Sequence, residues 1–218
     1  MSTPELLTGE GTAWPSFAIG TTPDGIGPHS NGMRMTPEEF DAIEDYDDTY
    51  DYELINGVLI VCPIPLEGEV GPNQKLGTLL EIYQEQHPQG AALDATLPER
   101  YIRLANSRRK ADRVIWAGLG RMPNPRVDAP TIAVEFVSRT KRDFRRDYIE
   151  KRAEYLAVGI QEYWIFNRFD RTLSVFQASE PQQRVFGESD VYSTPLLPGF
   201  ELPIAQIQAV ADRWAFED

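Results

Sequence analysis

The chain has 218 residues, 41% of them hydrophobic and 11% aromatic, which fits one globular domain with an appendage. Its formal charge of −13 argues against wholesale coating of nucleic acid, because phosphate contacts come from Lys and Arg. One cysteine, Cys62, and two scattered histidines, His29 and His87, exclude an intrachain disulfide, a thiolate zinc site and a histidine-rich metal centre, so any metal would be held by oxygen.

No apolar run reaches the roughly 18 residues that span a bilayer. The N-terminal segment lacks the basic-then-apolar layout of a secretory leader, so the sequence predicts a cytoplasmic protein with no membrane partner. Charge is unevenly spread. Residues 100–152 hold 15 of the 21 basic residues and only 6 of the 34 acidic ones, a local balance of +9 against −22 elsewhere. That basic segment is the first pointer to a polyanionic substrate.

Residues 1–33, rich in Gly, Pro, Thr and Ser without helical or strand period, read as a flexible extension, and residues 34–218 as one domain. Thr36 followed by Pro37 and, three residues after the Thr, by Glu39 is a capping-box pattern that opens a short helix. In YELINGVLIV, residues 52–61, Asn56-Gly57 joins two apolar strands, because both residues tolerate positive φ. A helix is predicted over 72–87, with Leu76, Leu79, Leu80 and Tyr83 on one face.

Strands follow at RYIRL, at ADRVIWA from Ala111 and at IAVEFVS from Ile132. After a helix over 143–157, EYWIF from Glu162 pairs with LSVF at Leu173 through a turn at Asp170. Residues 183–203 read as an irregular strand pair and AQIQAVADRWAF as a terminal amphipathic helix, while Trp164 and Trp214 read as core. This order predicts an α/β (α+β) fold with a mixed central sheet flanked by helices.

Two strands carry acids amid apolar residues: Asp112 in ADRVIWA and Glu135 in IAVEFVS. Were the strands neighbours, the two carboxylates would converge and repel unless they shared a proton or a cation. A hard divalent ion such as Mg²⁺ suits such a pair, since it accepts one or two protein carboxylates, keeps several waters and completes its shell from a phosphate. It would activate water for hydrolysis of a phosphodiester. A nearby cation would complete the set, and Lys110, Lys141 and Lys151 are candidates. The competing reading pairs Glu135 with a structural arginine such as Arg113. Helical spacing does not choose between Lys151 and Arg152, because the predicted apolar face runs through Phe144, Tyr148, Tyr155 and Leu156 and lies nearer Arg152.

YELINGVLIV, ADRVIWA, VEFVSRTKRD and RRDYIEKRAEYLAVGIQEYWIFNR, in that order, resemble the Uma-two type of restriction-endonuclease-like proteins within the PD-(D/E)XK nuclease superfamily. The resemblance runs from about Thr36 to Phe176. It implies a restriction-endonuclease-like fold and a Mg²⁺- or Mn²⁺-dependent endonuclease acting on DNA, with a homodimer as its analogy. It also implies that Asp112 and Glu135 bind the metal, that Lys151 of an Asp-x-x-x-Lys helix motif supplies the catalytic cation, and that Glu53 of Tyr-Glu-Leu-Ile assists. In the wider superfamily the lysine lies two residues after the strand glutamate. Val137 stands there in this chain, and Lys151 on the following helix is the natural replacement. Two other functions share these residues: an inactive nucleic-acid-binding or interaction module on the same fold, and a metal-dependent hydrolase of a small phosphorylated molecule.

Overall fold

The computed structural model describes residues 25–137 and 146–217. Helix α1 (Pro37–Asp41) opens as predicted, with the Thr36 hydroxyl accepting from Glu39 N–H and the Glu39 carboxylate from Thr36 N–H. Strands β1 (Tyr50–Ile55) and β2 (Val58–Pro63) form the Asn56-Gly57 hairpin, whose turn residues sit at φ 50° and 75°. Helix α2 (Glu67–Gln86) begins a turn earlier than predicted and carries Pro72 inside it rather than at its start.

The sheet continues with β3 (Leu93–Arg103), β4 (Arg108–Ala117) and β5 (Ile132–Phe136). A π-helical turn (Arg146–Lys151) then runs directly into α3 (Arg152–Ala157). The predicted start of this helix, residues 143–145, lies outside the described residues. Strands β6 (Glu162–Asn167), β7 (Thr172–Gln177) and β8 (Glu180–Gly187) follow, the β7–β8 ladder shifting register between Val175 and Gln177. The two-residue strands β9 (Val191–Tyr192) and β10 (Leu202–Pro203) pair with each other, and α4 (Ile204–Ala211) runs into a 3₁₀ turn (Asp212–Glu217).

The main sheet has the order β2-β1-β4-β5-β6-β7-β8, with β3 also paired to β4. Its ladders are antiparallel except β5–β6, the parallel pair that the helical crossover connects. Alternation along β5 sends Ile132, Val134 and Phe136 to the face covered by α2 and α4. Ala133 and Val137 go to the other face, against Tyr155 of α3, Tyr163 and Ile165. A third cluster of Met35, Phe40, Tyr52, Leu54 and Leu59 lies under the hairpin.

The extension boundary needs correction. Residues 25–33, assigned to it from their composition, are tied to the hairpin: Ile26 N–H donates to Asp45, Gly32 N–H to Leu59 and Leu59 N–H to Met33. Backbone pairing holds this Gly-rich stretch where composition showed no periodicity. Residues 1–24 lie outside the described residues. Trp164 is fully buried as expected, whereas Trp214 is half-buried, resting over Gly71 of α2.

One buried acid is a joint of the fold. The Glu162 carboxylate accepts hydrogen bonds of 2.8 Å from Trp164 Nε1, Tyr192 OH, Thr194 Oγ1 and Gln177 Nε2, tying β6 to β7 and to the segment after β8. Glu162→Leu strands four donors and is expected to cost about 3 kcal/mol. Urea denaturation checks this; a loss below about 1 kcal/mol would show that these donors find other acceptors.

Candidate active site

The site lies where the sheet forks. Strand β4 pairs with β3 from Arg108 to Ala117, but it meets β1 only where Leu54 stands opposite Arg108, and β5 only over residues 113–115. Side chains close the gap at 109–112. Lys110 N–H donates to Glu53 Oε1 at 2.8 Å, and Lys110 C=O accepts from Lys151 Nζ at 2.9 Å. Phe136 N–H donates to Asp112 Oδ2 at 2.6 Å. Backbone groups that a continuous sheet would pair are thus satisfied by ionisable side chains from three other positions.

Register brings the two strand acids together. Arg113 stands opposite Val134 and Val114 opposite Ala133, so the register carried one step past the end of the ladder sets Asp112 against Glu135. The Phe136 N–H bond to Asp112 Oδ2 and the charge of Asp112 felt at Glu135 place the two acids together. Opposed residues of an antiparallel pair share a face, with Cβ atoms about 4.5–5.5 Å apart. The face is that of Ala133, Val137 and α3, which answers why an acid interrupts an apolar strand: Glu135 projects at the root of the crossover helix.

Lys151 meets them there. Its Nζ lies 2.9 Å from Glu135 Oε2, 3.6 Å from Glu53 Oε1 and 3.8 Å from Asp147 Oδ1, and Lys151 is only 3% exposed. Tyr155 OH donates to the other Glu135 oxygen at 3.2 Å. Arg152 instead lies over the Phe176 ring, 4.2 Å from its centroid. The π turn explains why regular spacing failed to separate the two cations. One extra residue per turn rotates everything upstream by about 100° relative to an uninterrupted α-helix, so a face drawn across it is misaligned.

Three carboxylates, Glu53, Glu135 and Asp147, lie within 4 Å of one buried lysine, and the charges of Asp112, Arg109 and Arg146 act on the same cluster. Burial pushes the Asp112 carboxyl up to about 7, despite Lys151 and the Phe136 N–H pulling it down. Burial likewise raises Glu135 well above the ordinary glutamate range; Lys151 opposes this, while Asp112 and Asp147 add to it. Burial also disfavours the charged form of Glu53, but Lys151, Arg109 and Arg146 outweigh it and hold Glu53 below its usual value. Lys151 itself would be lowered by burial, yet Glu135, Glu53 and Asp147 keep it above the normal lysine range and so protonated.

Several expectations are redirected. Lys110 shares the Asp112 strand but bonds Asp51 at 2.6 Å and Glu99 at 2.7 Å, and only its carbonyl reaches the site. Glu99, at φ 52°, is skipped by the β3–β4 ladder opposite Asp112, which breaks the alternation that would have put Lys110 beside Asp112. Arg113, the alternative partner of Glu135, bonds Asn73 and Thr96 under α2 on the opposite face. Lys141 and the core of the RTKRDFRRD run lie outside the described residues. Much of the rest of the basic segment is consumed internally: Arg103 and Arg108 by Asp41, Arg109 by Glu154, and Arg121 by Asp128.

Sequence reasoning missed Tyr155 and Arg109. Tyr155 follows Lys151 by four residues, a helical neighbour spacing that could have found it. Arg109, fully buried, faces Glu53 at 3.5 Å and Glu154 at 2.6 Å; nothing in the run SRRK singles it out.

Among the described residues no group of three or more His, Cys, Asp or Glu side chains is arranged as a metal cluster. The donors present fit an ion of a different habit. Asp112 and Glu135 are carboxyls that burial raises above their normal range, so their ionised forms call for a cation; Glu53 Oε2 is a buried oxygen with no hydrogen bond, and all these donors are hard oxygens. Mg²⁺ or Mn²⁺ takes one or two such carboxylates and fills its shell with water and substrate. Also among the described residues, no helix is long and apolar enough to cross a membrane.

A mixed sheet with helices on both faces, forked where strand acids meet a helix lysine, is the architecture of a restriction-endonuclease-like α/β domain. The crystal structure of "a putative nuclease belonging to DUF820" from Anabaena variabilis is similar, with a TM-score of 0.66 over 81% of this chain and 99% of that one, at 16% identity. This chain belongs to the Uma2 family, whose model, described as "Putative restriction endonuclease", matches residues 37–205. No curated protein matches it.

Proposed function

We propose that the protein is a metal-dependent endonuclease that hydrolyses DNA phosphodiester bonds. The observation that carries this reading is the gathering of Asp112, bonded to Phe136 N–H at 2.6 Å, and Glu135 at the fork of the sheet, with Lys151 Nζ 2.9 Å from Glu135. Asp112 and Glu135 would hold Mg²⁺ or Mn²⁺, helped by Glu53. When bound, the ion supplies Lewis acidity toward a phosphoryl oxygen and lowers the pKa of water.

The chain's own groups do the rest. Lys151, kept charged by its three acids, orients the attacking water and donates to the charge that grows on the phosphoryl oxygens. Tyr155 fixes the orientation of Glu135, and Asp147 with Glu53 fixes that of Lys151. The basic run RTKRDFRRD grips the DNA backbone, so binding weakens with salt. A homodimer with one centre for each strand, by analogy with the superfamily, is part of this proposal, as is a cytoplasmic location.

The internal pairing of Arg103, Arg108, Arg109 and Arg121 favours one rival, a hydrolase of a small phosphorylated molecule. Plasmid, short oligonucleotides and a chromogenic phosphodiester incubated with Mn²⁺ or with EDTA separate the readings. The expected result is nicking of DNA in Mn²⁺ alone, lost in Glu135→Ala while binding persists. Turnover of the small ester without cutting of DNA would favour the rival, and binding without cutting in any metal would favour an inactive module.

A further inference from the structure

A second feature opens on the same sheet face. A cleft lies between β3 and the loop of residues 118–131, with Arg100, Arg103 and Arg126 at its rim, Pro125 and Val127 exposed on the loop wall, and the buried side chains of Val114 and Trp116 beneath its floor. Val114 follows Asp112 by two residues on β4, so the floor begins about 7 Å along the strand from the candidate metal-binding acids.

Its wall is built. Asp94 accepts from Leu119 N–H and Gly120 N–H, Trp116 Nε1 donates to Asp128 C=O, and Asp128 accepts from Asn124 N–H. The acid on the lining, Asp128, is neutralised by a two-pronged bond from Arg121, each arm 2.7 Å. Arg103 is paired with Asp41. Among the described residues Arg100 and Arg126 form no ion pair with a carboxylate, although both are exposed in a protein of net charge −13. Two guanidinium groups without a carboxylate partner, beside the exposed apolar side chains of Pro125 and Val127, match a strand that presents phosphates on one side and sugars or bases on the other.

We infer that this cleft seats the nucleic-acid strand next to the phosphate that is cut, with Arg100 and Arg126 on flanking phosphates and a sugar or base against the exposed side chains of Pro125 and Val127. The inference rests on the nuclease reading and gives the substrate a direction: along β4, away from Asp112 toward the 118–131 loop.

The test compares the wild-type protein, Arg100→Gln/Arg126→Gln, Val127→Glu at the exposed rim, and Arg184→Gln on β8 as a distant charge control. A short fluorescent single-stranded oligonucleotide is titrated across a salt series in EDTA, and cleavage is followed in Mn²⁺. The double variant should bind about tenfold more weakly, with a slope of log K against log salt shallower by about 1 to 2. KM should rise with kcat within about twofold, because no group at the reacting phosphate is removed. Val127→Glu should weaken binding with the melting temperature unchanged, and Arg184→Gln should leave affinity intact. If the double variant and Val127→Glu keep wild-type affinity and slope while the wild-type protein cuts DNA, the cleft assignment is overturned and the nuclease reading stands. If the wild-type protein neither binds nor cuts, the nuclease reading falls and the cleft assignment with it.

Discussion

Lys151→Met should lower the rate of DNA cleavage by about 10²- to 10³-fold, the usual loss when one donor aimed at developing charge is removed. It should also destabilise the fold. The side chain is 3% exposed and its ammonium bonds Glu135, reaches Glu53 and Asp147, and closes the Lys110 carbonyl. Removing one partner of a buried ion pair costs about 3–5 kcal/mol, because the other is left uncompensated. Glu135→Gln added to Lys151→Met should return part of the stability and none of the activity, since the amide no longer needs a counter-charge. Lys151→Arg should rescue poorly, because a broad planar fork does not fit the place of a compact ammonium ringed by three acids and a carbonyl. Denaturant melts and single-turnover cleavage read the two effects separately. A Lys151→Met protein that cuts at more than a tenth of the wild-type rate would remove Lys151 from the mechanism.

The second large effect is on pH. Burial moves the Asp112 carboxyl from its ordinary 3.8 to about 7, with Glu99 and Asp147 adding to the rise and Lys151 and the Phe136 N–H opposing it; Glu135 moves in the same direction. Between those two limits the folded protein holds protons that the unfolded chain has released. The stabilising share of these groups is therefore complete below about pH 4 and is lost as pH climbs through about 7. Metal-free protein should melt at progressively lower temperature across that window. Mn²⁺ has to displace the same protons, so its affinity should rise by about tenfold per pH unit for each proton released, and its thermal stabilisation should grow in step. Calorimetric titration at several pH values in buffers of different ionisation enthalpy would measure both affinity and proton release. A flat affinity between about pH 5 and pH 7, with no protons released, would show that these carboxylates are not the ligands.

Local signals were legible where local chemistry decides structure. The Asn56-Gly57 turn and the Thr36/Glu39 capping box act over four residues and formed as read. The start of α2 did not, because the sequence offers Pro72 as a first-turn residue and only packing of Gly68 and Gly71 against Arg168 and Trp214 shows that the helix begins before it. Asp112 and Glu135 stood out as acids among apolar neighbours, but their opposition depends on strand order and register, which pattern alone does not fix. The choice of Lys151 over Arg152 was hidden by the π turn, since every estimate of helix face assumes one constant period. Arg109 was illegible for a related reason: its burial answers acids on β1 and α3 that are distant in sequence.

The fork in the sheet carries a spectroscopic consequence. The amide protons of Phe136 and Lys110 end on carboxylate oxygens of Asp112 and Glu53, not on a neighbouring strand. Each N–H therefore senses the ionisation and occupancy of one acid directly. Two resolved peaks in a nitrogen–proton spectrum would follow loading of the centre atom by atom, without any substrate being turned over.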